Sequence, residues 1–109
     1  MKPAPISKPE DFKRAFARGR RARRDGLTVH VVERSEASLP TRLGIVVERS
    51  AGGAVVRNKI KRRIREAFRS CCPSPGHDVV VRGDADVRDI EFQELVIYLK
   101  TALTRTEVV

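Results

Sequence analysis

The stretch from Arg57 to Arg69 constrains the fold of this chain most, because its charged and apolar residues separate onto two faces of one helix. Seven of its thirteen residues are cationic and one is acidic. Its apolar residues recur at the i, i+4, i+7 and i+8 spacing of a single helical face, which predicts that this face is buried. These residues are Ile60, Ile64, Ala67 and Phe68, and the opposite face carries Asn58, Arg62, Arg65 and Arg69, with Lys61 at its edge.

A row of guanidinium groups on a helix is suited to binding a phosphate backbone, because each group is permanently charged and matches two phosphate oxygens at once. The pattern alone leaves three other interpretations open: a solvated charged face, a helix that binds an acidic membrane or a calmodulin-type protein, and a localisation signal. Solvated faces normally mix charges of both signs, whereas this one holds a single acid. The sequence therefore favours a polyanionic partner for this helix.

The composition of the whole chain agrees with that interpretation. Its 109 residues suit one domain, and an apolar fraction of 40% predicts a folded core. Lysine and arginine total 23 against 14 acids, and the net charge of +9 predicts binding to nucleic acid first and to an anionic membrane second. The sequence has no apolar run near 18 residues and no signal-peptide pattern, so we expect a cytoplasmic protein that does not enter a membrane.

We expect residues 1–6 to form a flexible basic arm and residues 7–109 to form a single α/β domain. A first helix is predicted to begin between Ser7 and Pro9, because Ser7 and Glu10 have the spacing of a capping box and proline suits a first helical turn. Gly19 is a plausible end of that helix.

The rest of the chain alternates strands and helices. The order α-β-β-α-β-α, with a possible extra strand within 33–41, predicts an α+β fold in the form of a two-layer α/β sandwich. The predicted elements are a strand over 27–32 after an Asp25-Gly26 turn, a strand over 42–47, a helix from 53–56 to Cys72, a strand over 77–82, and a helix capped by Asp89 that ends near Arg105.

Three ring-bearing side chains precede the central helix. Phe12 and Phe16 share one face of the first helix, where they either pack in the core or stack on unpaired bases. His30 lies on the less apolar face of its strand, where a structural role is the commoner one for a lone histidine. Gly44, in the middle of a strand, predicts a bulge or the close approach of another group.

No set of residues matches a self-contained active site. His30 and His77 lack partners at the spacing of a catalytic triad, and the glycine-rich, zinc-protease and hydrolase motifs are absent. Cys71 and Cys72 are adjacent, so neither a disulfide between them nor a zinc site is expected. We therefore predict a polyanion-binding protein with no catalytic residue and no metal site of its own.

The central motif resembles that of a known family. Arg57-Asn58, Lys61-Arg62, Arg65 and Arg69 resemble the R-N-x-x-K-R-x-x-R-x-x-x-R signature of the bacterial ribonuclease P protein subunit. The resemblance extends to residues 8–105. Asp11-Phe12, Phe16 and Gly19 resemble the first helix of the family, residues 42–47 its R-x-G-x-x-V strand, and residues 52–58 its G-N-A-V-x-R-N segment.

The resemblance implies a ribosomal-protein-like sandwich with a left-handed βαβ crossover, monomeric apart from RNA. It implies a subunit of the ribonucleoprotein endoribonuclease that removes the 5′ leader of precursor tRNA by hydrolysis. The catalytic RNA subunit and its magnesium would carry out the chemistry, and the protein would bind no cofactor alone. A ribosomal or other structured-RNA-binding protein with a similar sandwich is the alternative.

The resemblance also implies two binding surfaces on an RNA-binding domain of residues 7–109. Glu48-Arg49-Ser50 departs from the Ser-Lys-Lys that is common in the family, and Gly53 stands where asparagine is usual. His30 can change charge near neutral pH, so we expect leader affinity to depend on pH. The RNA subunit would contact Arg57, Asn58, Lys61, Arg62, Arg65 and Arg69. The leader would contact Phe12, Phe16 and His30. Supporting basic contacts would come from Arg18, Arg20, Arg21 and Arg49.

Overall fold

Residues 3–109, which the computed structural model describes, form five strands and three α-helices. Met1 and Lys2 lie outside the described residues. Short 3-10 turns occur at Arg49–Ala51 and Ala85–Val87. The strands are β1 (Ala4–Pro5), β2 (Arg20–Arg24), β3 (Leu27–Glu33), β4 (Arg42–Val47) and β5 (His77–Gly83), and the helices are α1 (Pro9–Arg18), α2 (Ala54–Ser70) and α3 (Phe92–Arg105).

The strands form one mixed sheet in the order β1-β4-β5-β3-β2. β5 is central because its three consecutive valines, Val79 to Val81, are fully buried on both faces of the sheet. β4 and β5 are parallel neighbours that α2 connects, which is the βαβ unit that the resemblance implies. β3 pairs with β5 and with β2 in antiparallel fashion.

Helices cover the two faces of this sheet unequally. α2 and α3 pack on one face and bury the larger core, which includes Ile64, Phe68, Leu95 and Leu99. α1 crosses the other face, where Ala15 packs on Val80 in a smaller apolar cluster. The predicted α+β class is confirmed, and the apolar stripe predicted for α2 is the buried one.

The sequence did not predict β2, which is formed by the basic run Arg20–Arg24. Its pairing with β3 is fixed by the predicted Asp25-Gly26 turn, because both residues have the positive φ angles (45° and 87°) of a two-residue hairpin loop. The possible extra strand within 33–41 is not formed; this part of the described chain is a loop that Gly76 ties down by donating from its backbone N–H to Leu39.

Residues 4–6, which the sequence assigned to a flexible arm, pair with the edge of the sheet. Ala4–Pro5 add a short parallel strand to the edge of the sheet, where Ala4 is paired with Arg42. The Ile6 N–H donates to the Leu43 carbonyl at 3.0 Å, and the Ile6 side chain is 6% exposed. Burying this isoleucine beneath α1 stabilises the segment. The proline-rich composition of the segment could not predict this burial.

Two predicted helix caps are also wrong. α1 begins at Pro9, with an extended Lys8 as its N-cap and no side-chain cap, because the residue before a proline is disfavoured in helical geometry. Ser7 and Glu10 therefore do not form a capping box. α3 begins at Phe92 after Glu91 rather than after Asp89, because the preceding chain first turns to bury Val87.

Candidate nucleic-acid interface

The structure confirms the two-faced character of α2. Ile60, Ile64, Ala67 and Phe68 are at most 2% exposed and pack against the sheet and α3. The opposite face holds the basic row, which we define as the exposed Asn58, Arg62, Arg65 and Arg69 with the half-buried Arg57 and Lys61.

The members of the basic row differ in how far their charges are already neutralised. Arg69 lies 3.3 Å from Glu66, one turn earlier on the helix. Arg62 and Arg65 have no carboxylate within 4 Å among residues 3–109, so their guanidinium groups remain available to a ligand. Arg63 lies outside the row because its guanidinium donates to the Ile90 carbonyl, which makes it a structural residue.

On the opposite side of the sheet, α1 lies over one row of paired residues. The strand registers align Gly44 with Val80, Val80 with His30, and His30 with Arg21. Gly44 lets α1 approach closely, because a Cβ atom built there would lie 2.6 Å from Cε1 of Phe12. The close approach predicted from this glycine is confirmed.

The two phenylalanines of α1 contribute differently to this side. Phe12 is half-buried above Gly44 and packs in the smaller core, so part of its role is structural. Phe16 is 42% exposed, and its ring meets that of His30 edge to face, with ring centroids 4.8 Å apart and planes at 84°. Phe16 is therefore the aromatic group that a nucleotide base could reach directly.

His30 is more enclosed than its strand position suggests. It is 6% exposed, and its buried Nε2 has no hydrogen-bond partner among the described residues. Burial, followed by the positive charges of Arg21 and Arg82, lowers the pKa of His30 below its usual 6.5. The neutral imidazole therefore predominates near pH 7, and its ring contacts that of Phe16.

The next row of the sheet is not covered by α1. This open row consists of Val46, Arg82, Thr28 and Arg23, which pair across β4, β5, β3 and β2. Arg82 pairs with Glu48 at 2.9 Å and Arg23 with Asp84 at 3.1 Å. Sequence reasoning did not identify these residues; the alternation of β5 could have found Arg82, two residues after the buried Val80, whereas Arg23 required β2 to be recognised.

The four supporting arginines do not form one group. Arg18, Arg21 and Arg49 are exposed, and Arg21 lies beside His30 at the border of the open row. Arg20 points to the other side of the sheet, where it donates to the Thr106 carbonyl at 2.9 and 3.2 Å and to both oxygens of Glu33. Arg20 is thus engaged within the protein.

A buried carboxylate anchors α1 to the sheet. Asp78 on β5 is 1% exposed and accepts two hydrogen bonds from Arg42 at 2.5 and 2.7 Å and one from Arg14 of α1 at 3.0 Å. Arg42 also lies 3.6 Å from Asp11 of α1, and Arg34 lies 3.7 Å from Asp78. Burial disfavours the charge of Asp78, but the hydrogen bonds and charges of these arginines prevail and lower its pKa.

An open groove connects the two sides of the molecule. Its lining includes Phe12 and the Leu43–Ile45 segment on one side, Lys61 and Arg65 of the basic row on the other, and the N-terminal segment 3–6. The basic row and the aromatic side are therefore continuous along the edge of the sheet that carries β1.

Within residues 3–109 no three His, Cys, Asp or Glu side chains come together in a group that could hold a metal ion. The helices of this part of the chain are too short or too polar to cross a membrane. Cys71 is buried, which raises the pKa of its thiol to about 11, and Cys72 is exposed.

Comparison with known proteins gives a consistent result. The family model described as Ribonuclease P matches residues 1–107. A ribonuclease P protein component from Streptomyces avermitilis is 41% identical, over 92% of this chain and 89% of the relative. Another from a Nocardioides species is 43% identical, over 86% of this chain and 83% of the relative.

Solved structures agree with the sequence relatives. The RNase P protein of Staphylococcus aureus superimposes with a TM-score of 0.85 at 30% identity and covers 98% of both chains. The RNase P protein of Thermotoga maritima gives a TM-score of 0.78 at 27% identity, over 95% of this chain and 96% of that one. The similarity thus extends over nearly the whole fold, including the helix that carries the basic row.

Proposed function

Because the chain belongs to the ribonuclease P protein family, we propose that it binds the catalytic RNA subunit of ribonuclease P through the basic row of α2. The observation that carries this proposal is the separation of α2 into a buried apolar face and an exposed row in which Arg62 and Arg65 have no carboxylate partner among residues 3–109. Such guanidinium groups release counterions when they meet phosphates, which favours tight and salt-dependent binding.

The second part of the proposal concerns the substrate. The 5′ leader of precursor tRNA would lie on the aromatic side, where Phe16 offers an exposed ring and Phe12 and His30 support it. Stacking on such rings tolerates any base, as is required of a protein that meets many precursor tRNAs. Arg21 and Arg49 would add contacts to the leader backbone, and the open row would extend the platform.

In this arrangement the protein holds RNA and the chemistry takes place elsewhere. The RNA subunit and the magnesium ions it binds would hydrolyse the phosphodiester bond at the mature 5′ end. The groove between Phe12 and Arg65 would give the leader a continuous path from the aromatic side to the RNA-bound helix. We expect the complex to act in the cytoplasm and the protein to be monomeric apart from RNA.

Reconstitution with a bacterial ribonuclease P RNA tests the proposal. The wild-type protein should restore cleavage of precursor tRNA at a magnesium concentration at which the RNA alone is inactive. Failure to restore cleavage would favour the alternative, a ribosomal or other structured-RNA-binding protein.

Variants separate the two surfaces. Arg62→Ala and Arg65→Ala should weaken RNA-subunit binding and lower the salt slope by about one unit each, because each removes one phosphate contact. Phe16→Ala should weaken leader binding and leave RNA-subunit affinity unchanged. Arg105→Ala removes an exposed arginine from the last turn of α3 and serves as the charge-matched control. If Arg62→Ala and Phe16→Ala impaired both steps equally, the separation into two surfaces would be wrong.

A further inference from the structure

Two carboxylates, Asp78 and Asp11, hold α1 on the sheet through arginine side chains, and neither belongs to the surfaces proposed above to contact RNA. Asp78 holds Arg14 of α1 at 3.0 Å, and Arg42, which Asp78 fixes by two hydrogen bonds, lies 3.6 Å from Asp11 of α1. Asp11 and Arg14 are one helical turn apart, so the helix is held at two successive points.

These contacts flank the residues that face the leader. Phe12 directly follows Asp11 and lies on Gly44, and Phe16 lies half a turn beyond Arg14, where it meets His30. Apolar packing alone restrains the helix weakly, since only Ala15 of α1 is fully buried. The ionic contacts therefore supply much of the directional restraint on α1.

We propose that Asp11 and Asp78 are positioning residues for leader binding, which act through Arg42 and Arg14 to hold α1 so that Phe12 and Phe16 face the leader. This inference rests on the leader-binding role proposed above. Positioning α1 would explain why two acids lie beside the polyanion-binding side of a strongly basic chain.

Simple electrostatics predicts the opposite effect for the same substitutions. Removing an acid from this side raises the net positive charge and would strengthen binding to RNA. If the acids position α1, their removal weakens leader binding despite the gain in charge. The sign of the change in affinity therefore distinguishes the two explanations.

The experiment measures the affinity of the reconstituted holoenzyme for precursor tRNA with its leader and for the same tRNA without one. Asp11→Asn should weaken binding of the leader-bearing substrate about 3- to 10-fold, the effect of losing one charge-assisted contact. Binding of the leaderless tRNA and of the RNA subunit should not change. Glu10→Gln, at the neighbouring exposed acid of α1, is the matched control and should leave leader binding unchanged or slightly stronger.

Arg14→Gln tests the other contact while Asp78 keeps its two hydrogen bonds to Arg42. It should weaken leader binding without changing the salt slope, whereas loss of a direct phosphate contact would lower that slope by about one unit. Asp78→Asn leaves several cations without their carboxylate and could fail to fold, so Asp11→Asn and Arg14→Gln carry the test.

A double variant distinguishes positioning from general destabilisation. Combined with Phe16→Ala, Asp11→Asn should cause little further loss, because α1 then presents no exposed ring to position. Fully additive losses, or unchanged or tighter binding by Asp11→Asn, would overturn the inference. If the wild-type holoenzyme did not distinguish leader-bearing from leaderless substrate, the leader-binding proposal itself would fall, and this inference with it.

Discussion

Replacing Gly44 with alanine should loosen α1 from the sheet. The new Cβ atom would lie 2.6 Å from Cε1 and 2.8 Å from Cζ of Phe12, and 3.3 Å from Cβ of Ile6. Backbone strain does not contribute, because Gly44 does not have a positive φ. The cost is therefore steric, and the ring of Phe12 must move away from the strand.

The expected magnitude follows from the position of the ring. Overpacking of this kind costs about 1–3 kcal/mol of unfolding free energy. Phe12 is half-buried and lies at the edge of the smaller core, so its ring can move outward, which places the expected value near the lower end. In a Phe12→Ala background the collision with the ring disappears, and the cost of Gly44→Ala should fall from about 1–1.5 kcal/mol to less than about 0.5 kcal/mol, a coupling of about 1 kcal/mol between the two sites.

Urea denaturation of the four proteins of this cycle measures the coupling. Gly83→Ala is the matched control, because Gly83 is also a strand glycine, in β5 rather than β4, but its Cβ would meet Ile64 at an ordinary 3.5 Å. That substitution should be neutral or stabilise by about 0.4–1 kcal/mol through the unfolded chain. Equal effects of Gly44→Ala and Gly83→Ala, or additive effects of Gly44→Ala and Phe12→Ala, would refute the steric explanation.

Three further predictions follow from the charges. Arg20→Ala should lower the unfolding free energy by about 1 kcal/mol, because it loses the Thr106 and Glu33 contacts, and should leave the salt slope of RNA binding unchanged. Arg21→Ala should instead lower that salt slope and have little effect on urea denaturation. Because the pKa of Asp78 is lowered in the folded protein, ionised Asp78 stabilises the fold fully above pH 3.8, the ordinary pKa of the group, and this stabilisation is lost as the pH falls through the lower pKa of the folded state. If Asp78→Asn folds, its unfolding free energy should lack this dependence on acid pH when it is measured by denaturation. Because the pKa of His30 lies below its usual 6.5, any pH dependence of leader binding that it causes should be centred at lower pH than that of an ordinary histidine. Titrations of the wild type and of His30→Phe should therefore diverge as the pH falls below 6.5 and converge towards pH 7.5.

Local patterns predicted the parts of the fold that rest on periodic burial. The 3.6-residue period of α2, the alternation of β3 and the continuous valines of β5 each correspond to a buried face in the structure. The same patterns indicated which side of α2 is exposed, and hence the basic row. Gly44 predicted a close approach, although the sequence could not say that Phe12 makes it.

Features that depend on contacts between residues far apart in the sequence could not be predicted from local patterns. In the sequence, β2 resembles a solvated basic run, because four of its five residues are arginine and no apolar alternation indicates a strand. Its pairing with β3 follows from the turn at Asp25. β1 forms because Ile6 finds a pocket beneath α1. Asp78 lies 36 positions from Arg42 and 64 positions from Arg14 in the sequence, so no spacing rule could have indicated that they are hydrogen-bonded.

The two proposed surfaces also differ in how their charges are balanced, and this difference bears on their roles. On the α1 side, Arg82, Arg23 and Arg42 are each paired with a carboxylate. A polyanion that meets Arg82 or Arg23 must compete with Glu48 or Asp84, so these two arginines contribute less to its binding than the exposed Arg21 and stacking against Phe16 do. On α2, Arg62 and Arg65 are unpaired within residues 3–109, and their whole electrostatic attraction is available to phosphates. A partner held for the lifetime of a complex suits the α2 side, and a substrate that must bind and leave suits the side where part of the charge is already neutralised.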